Sequence, residues 1–196
     1  MALETTFDDL RTRLRHLDDM FGALCVTVVE DRPLERRLAG GVDGQVAAPV
    51  ERAGDKVLEV NGWIAGAVES ATDCSRAAAH PVDIEGARRA LTACHEKFSR
   101  AAQEFSSELV SYERIAELME FGEDRGGEPR AWTTGVIAAL EQCRAPMNDV
   151  SHALFLCWQE LTERLGIGGV SVQTTTIGQH IRGAAVQASQ ASRRLA

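Results

Sequence analysis

Aromatic side chains are scarce, with Phe, Trp and Tyr making up 5% of a 196-residue chain. A core this poor in rings must be filled by Ala, Leu, Val and Ile, which suits close helix–helix packing. Lysine is scarcer still. Lys56 and Lys97 are the only two, and every other basic residue is Arg. With the abundant Ala, this is a compositional sign of a GC-rich bacterial genome. No apolar run approaches the ~20 residues that a membrane-spanning helix needs. The opening Met-Ala-Leu-Glu-Thr-Thr is acidic and amphipathic, unlike a signal peptide. A cytoplasmic protein without a membrane role is expected.

The five cysteines form no C-x-x-C pair, and their number is odd. A disulfide framework and a zinc-finger pattern are both disfavoured, so free thiols in a reducing compartment are expected. The net charge of −8 lacks the basic face that phosphates require, which argues against nucleic acid as a partner. The pairs Arg36–Arg37, Arg88–Arg89 and Arg193–Arg194 read as solvated helix faces. No G-x-S-x-G occurs. The glycines Gly40, Gly41 and Gly44 match neither phosphate-loop spacing. Nothing pairs acidic residues for general acid–base work, and no enzyme is expected.

What is present is helical periodicity. Ile84, Ala87, Leu91, Cys94, Phe98, Ala101 and Phe105 step by three and four residues, the seam of a helix packed on other helices. The pattern slips by four at Leu109 and resumes through Tyr112, Ala116 and Met119. A first helix is expected from a cap at Thr5 or Thr6, with the seam Phe7, Leu10, Leu14, Leu17, Phe21, Leu24 and Val28. Its β-branched end, Val26 to Val29, is compatible with a short strand, and helix is the favoured reading. Pro33 to Leu38 could form a helical turn within the first connection.

A second helix is expected from about Pro49 to Ala79. Val57, Val60, Ile64, Ala67, Ala71 and Cys74 face inward, and Leu58 and Trp63 widen that face. Gly62 and Gly66 within it suggest close approach of a neighbouring helix or of the Trp63 ring. His80-Pro81 ends it and Asp83 caps the third helix, which should run to about Phe121. The fourth spans Pro129 or Arg130 to Leu165, with the seam Val136, Leu140, Cys143, Met147, Val150, Leu154, Cys157 and Leu161. Pro146 should kink or split it, and after a split Asn148 or Asp149 would cap the second half.

The expected fold is all-α, an elongated antiparallel four-helix bundle over residues 1–168. Residues 169–196 form a C-terminal appendage in this reading: Val170 to Ile177 alternates and is β-branched, so it reads as extended, and the small, polar stretch that follows to Ala196 reads as either a frayed helix or a loose, flexible tail.

Candidate sites are few. Asp149-x-x-His152 resembles half of a carboxylate-bridged di-iron motif, but no second copy exists, so no metal is expected. If the third and fourth helices turn back near Gly126, Cys157 lies level with Cys94 and His95, with Cys74 about two helical turns away. Those thiols and that imidazole are the candidates for holding a cofactor or soft metal, against a reading in which they are small core residues. Leu154-Phe-Leu-Cys-Trp158 is apolar on nearly every side of a helix. Either the chain wraps this turn, or Phe155, Leu156 and Trp158 meet another protein. Val170, Val172 and Ile177 form a second candidate, an edge for strand addition, against a reading in which the segment is a strap over the bundle's own end beside Val26 to Val29.

The leading expectation is a non-enzymatic interaction module: a scaffold, adaptor or oligomeric assembly subunit bound to a protein partner or to itself. One alternative is a bundle that binds a metal, cofactor or small molecule. Another is a regulatory or sensory domain hinged at Pro146.

Overall fold

Long three-four seams dictate long helices, because only packing along their whole length offsets the conformational entropy of ordering them. The computed structural model describes residues 3–30, 47–79, 82–121 and 128–165. They form four helices: α1 (Leu3–Glu30), α2 (Ala47–Ala78), α3 (Ile84–Phe121) and α4 (Glu128–Leu165). No strand occurs among the described residues. At 1.5 Å per residue, the 38 residues of α3 and of α4 each make a rod about 57 Å long. The Gly-rich connection, the Val170–Ile177 segment and the tail to Ala196 lie outside the described residues.

The helices form a ring. Each packs on its neighbours in chain order, and α4 returns to α1. The diagonals meet through side chains, as where the Phe21 ring of α1 stands edge-on to Phe105 of α3 with centroids 5.9 Å apart. Adjacent helices are antiparallel. The Cys157 thiol of α4 donates to the Thr6 carbonyl of α1 at 3.5 Å, and the Cys25 thiol of α1 donates to the Val57 carbonyl of α2 at 3.8 Å.

The inner stripe is the expected one. Phe7, Leu10, Leu14, Leu17 and Phe21 of α1 are buried beside Val57, Ile64 and Ala67 of α2. Leu91, Phe98 and Leu109 of α3 and Leu140, Val150, Leu154 and Leu161 of α4 complete it. The β-branched end of α1 remains helical to Glu30. Asp83 caps α3 as expected: its carboxylate accepts from the Gly86 N–H at 2.8 Å, the bond an N-cap makes to the third helical residue.

Four expectations need correction. Helix α1 begins at Leu3, so Thr5 and Thr6 are positions inside the helix rather than caps, and Thr6 is buried. Asp8 and Asp9 pair with Arg11 and Arg13. Leu58 does not widen the inner face of α2; its side chain is exposed, one position past the Val57 stripe. Gly62 has no neighbouring helix near the place of a missing side chain, so close helix approach does not explain it. Helix α4 runs unbroken through Pro146, so Asn148 and Asp149 cap nothing. Packing of α4 along both α1 and α3 holds it together despite the lost hydrogen bond to the Gln142 carbonyl.

Candidate functional site

Helices α3 and α4 run antiparallel, and Trp158 of α4 meets His95 of α3, so Cys157 lies level with Cys94 and His95. Trp158 donates its indole N–H to His95 Nδ1 at 3.3 Å, with the rings edge-on at 6.5 Å between centroids. Since Nδ1 accepts, the neutral imidazole carries its proton on Nε2. Burial holds His95 below the usual histidine range, partly countered by Glu96.

Trp158 is thus turned inward. It is half-buried and packed against the core, with its polar atom already engaged. Leu156 is half-buried as well. Phe155 is different. At 42% exposure it is a large aromatic side chain on the outer side of α4. The five-residue apolar run therefore divides: Leu154 and Cys157 are core, Trp158 seals the α3–α4 seam, and Phe155 faces out. Val170, Val172 and Ile177 lie outside the described residues. Asp149 and His152 are both exposed on α4.

Behind the His95–Trp158 pair lies a layer of thiols. Cys74 of α2, Cys94 of α3 and Cys157 of α4 are fully buried and near enough to oppose one another's ionisation. Burial is the main cause of their raised pKa values; Cys74 is pushed up to about 12, and Cys94 and Cys157 higher still. Cys143 is pushed up to about 11 by burial alone. A thiol attacks as the thiolate, so these cysteines are poor nucleophiles in the folded protein. All five cysteines are free. Among the described residues, no group of three His, Cys, Asp or Glu is placed to hold a metal ion. Cys94, His95 and Cys157 therefore share a level without forming a ligand set.

The α2–α3 seam holds two features that periodicity did not reveal. Lys97 reaches across from α3 and donates to the Gly66 carbonyl at 3.0 Å and to Ser70 Oγ at 3.1 Å. This accounts for Gly66: a Cβ there would stand 3.1 Å from Lys97 Cδ, tighter than ordinary contact. Further along, Lys56 of α2 bonds Glu59 at 2.6 Å and reaches Glu104 of α3 at 3.5 Å. Beside them Glu108 is buried, with Oε2 unpaired among the described residues. Both lysines of the chain thus serve one helix pair. A signal for Glu108 was available, since Phe105, Glu108, Tyr112 and Ile115 also step three-four-three, and Phe105, Tyr112 and Ile115 are buried. The slip to Leu109 marks the place where the seam carries a carboxyl.

Arg100 lies over the Trp63 ring at 4.8 Å, covering the outer part of the α2–α3 seam. Toward the far end of α3, Tyr112 meets Trp132 of α4 edge-on at 6.2 Å. No described helix is long and apolar enough to cross a membrane. The chain matches no known family, no curated protein and no solved structure.

Proposed function

We propose that this chain is a non-enzymatic helical-bundle interaction module, a scaffold or assembly subunit that meets another protein or a second copy of itself. The observation that carries the reading is Phe155. The bundle core closes without it, yet it leaves a large aromatic surface on the outside of α4. Exposed aromatic side chains are common anchors of protein interfaces, where a few such residues dominate binding. The chemistry of the interior is in keeping with this role. The thiols are buried with raised pKa values, and His95 is held below the usual histidine range by burial and accepts a hydrogen bond from Trp158.

The role expected of Trp158 changes within this proposal. It acts from behind, fixing α4 against α3 so that Phe155 is presented on a rigid helix. Sedimentation of the purified chain across a wide concentration range tests self-association. Affinity capture from the native host, run in parallel with Phe155→Ser, tests a different partner. Association lost on Phe155→Ser with an unchanged helical spectrum is the expected result. Equal behaviour of the two proteins in both experiments would overturn the assignment.

A further inference from the structure

Glu108 is buried to 4% exposure in the α2–α3 seam, on the core side of a carboxylate-rich cluster. Its Oε2 has no hydrogen-bond partner among the described residues. Lys56, the cation that acts on it, is already committed to Glu59 and Glu104. Three carboxyls therefore share one ammonium, and the most deeply buried of them is left without a hydrogen bond at one oxygen. Burying a charge in this way is unfavourable unless it is paired, whereas a protonated carboxyl is far less costly to bury.

We propose that Glu108 makes the α2–α3 seam a proton-controlled latch, closed tightly while its carboxyl is protonated and loosened when it ionises. Among the described residues, three groups act on it. From α2 come Lys56, which favours the charged form, and Glu59, which opposes it; from α3 itself comes Glu104, which also opposes it. Arg52 and Asp55 stand on the same stretch of α2 and are engaged in interactions of their own. On α4 the corresponding charges, Arg144 and Glu141, act on Glu113 instead. Helix α1 lies diagonally across the core and reaches α3 through apolar side chains such as Phe21. Burial is the largest influence, and the carboxyl is pushed up to about 7 from an ordinary value of 4.5.

The sign follows from linkage. A carboxyl with a raised pKa in the packed state binds more protons there than in the open one. The packed state is most favoured below pH 4.5 and loses that advantage as pH rises to about 7. Each pH unit between those two midpoints is a factor of ten, so the packed-to-open ratio changes by up to roughly 300-fold across the window. His95 titrates in the opposite sense, so the useful quantity is a difference between proteins that both retain it.

Thermal unfolding of the full chain and of Glu108→Gln, from pH 5 to pH 8, tests the latch. The variant should gain stability over the parent progressively as pH rises, and the gap should level off above pH 7. Side-chain carboxyl NMR of the unsubstituted chain gives an independent reading, with a Glu108 midpoint near neutrality that moves higher in Lys56→Met. Parallel unfolding profiles would overturn the proposal. So would a Glu108 carboxyl that titrates below pH 5. If Glu108→Gln does not fold, the NMR midpoint and its response to Lys56→Met decide alone.

Discussion

Trp158 Nε1 and His95 Nδ1 stand 3.3 Å apart, joining α4 to α3 through the outer wall of the bundle. The bond defines a tautomer, a protonation state and an orientation together. A protonated His95 would point a hydrogen at the indole N–H, setting donor against donor.

The pH dependence follows. His95 lies below its ordinary value of 6.5 chiefly through burial, so its contribution to stability is present above pH 6.5 and is lost as pH falls below it. Imidazole NMR should give His95 a midpoint under 6.5. Trp158→Phe should remove about 1 kcal/mol with the hydrogen bond and raise that midpoint. A His95 midpoint at or above 6.5 in the parent chain would show that the pair does not hold the neutral form.

The two glycines of α2 should answer differently to the same substitution. Alanine in a helix interior is favoured over glycine by up to ~1 kcal/mol. Gly62 is open, so Gly62→Ala should stabilise by about that amount. At Gly66 the new methyl group presses on a Lys97 side chain already held by two hydrogen bonds. Gly66→Ala should therefore gain less than Gly62→Ala or lose stability outright. Chemical unfolding of both variants measures the difference. Equal gains would mean that Lys97 moves aside freely and that its bonds to Gly66 and Ser70 hold nothing in place.

The thiols should be silent in the native state. All five cysteines are buried, so a thiol reagent should label the folded protein only as fast as it opens, and label all five in denaturant. Their raised pKa values give a second signature. Stability should be intact below pH 9, the ordinary thiol value, and fall as pH rises above it, where the unfolded chain ionises and the folded one resists up to about 11 at Cys143 and about 12 at Cys74. Rapid labelling of one or more cysteines in the native protein would contradict the packing assigned to that residue.

Much of the architecture was legible because a helix repeats every 3.6 residues and a seam of buried side chains must keep that beat. Phe7 to Val28 on α1 and Val136 to Leu161 on α4 are buried at the expected positions. Asp83 was legible as a cap because a short polar side chain stands before the Ile84 seam. Two of the errors, at Thr6 and at Pro146, share one cause. Thr6 resembles a cap and Pro146 a break only if local preference decides, and in both places burial against neighbouring helices overrides it.

Periodicity in the amino-acid chain by itself pointed to the four long helices of the described residues and to the stripe of each that turns inward; that Cys157 comes level with Cys94 and His95 followed only with the added assumption that the third and fourth helices turn back near Gly126. Those are properties of one helix at a time, or of two joined by a turn. Only the tertiary structure decided that Trp158 turns toward His95 while Phe155 does not, that Lys97 settles on Gly66, and that Glu108 enters the seam with Oε2 unpaired among the described residues. The physical reason is that the fate of a polar or aromatic side chain at the edge of a stripe depends on what the adjacent helix offers at that height. That information is spread over residues 31 or 63 positions away, as in Lys97–Gly66 and Trp158–His95, and no local repeat contains it.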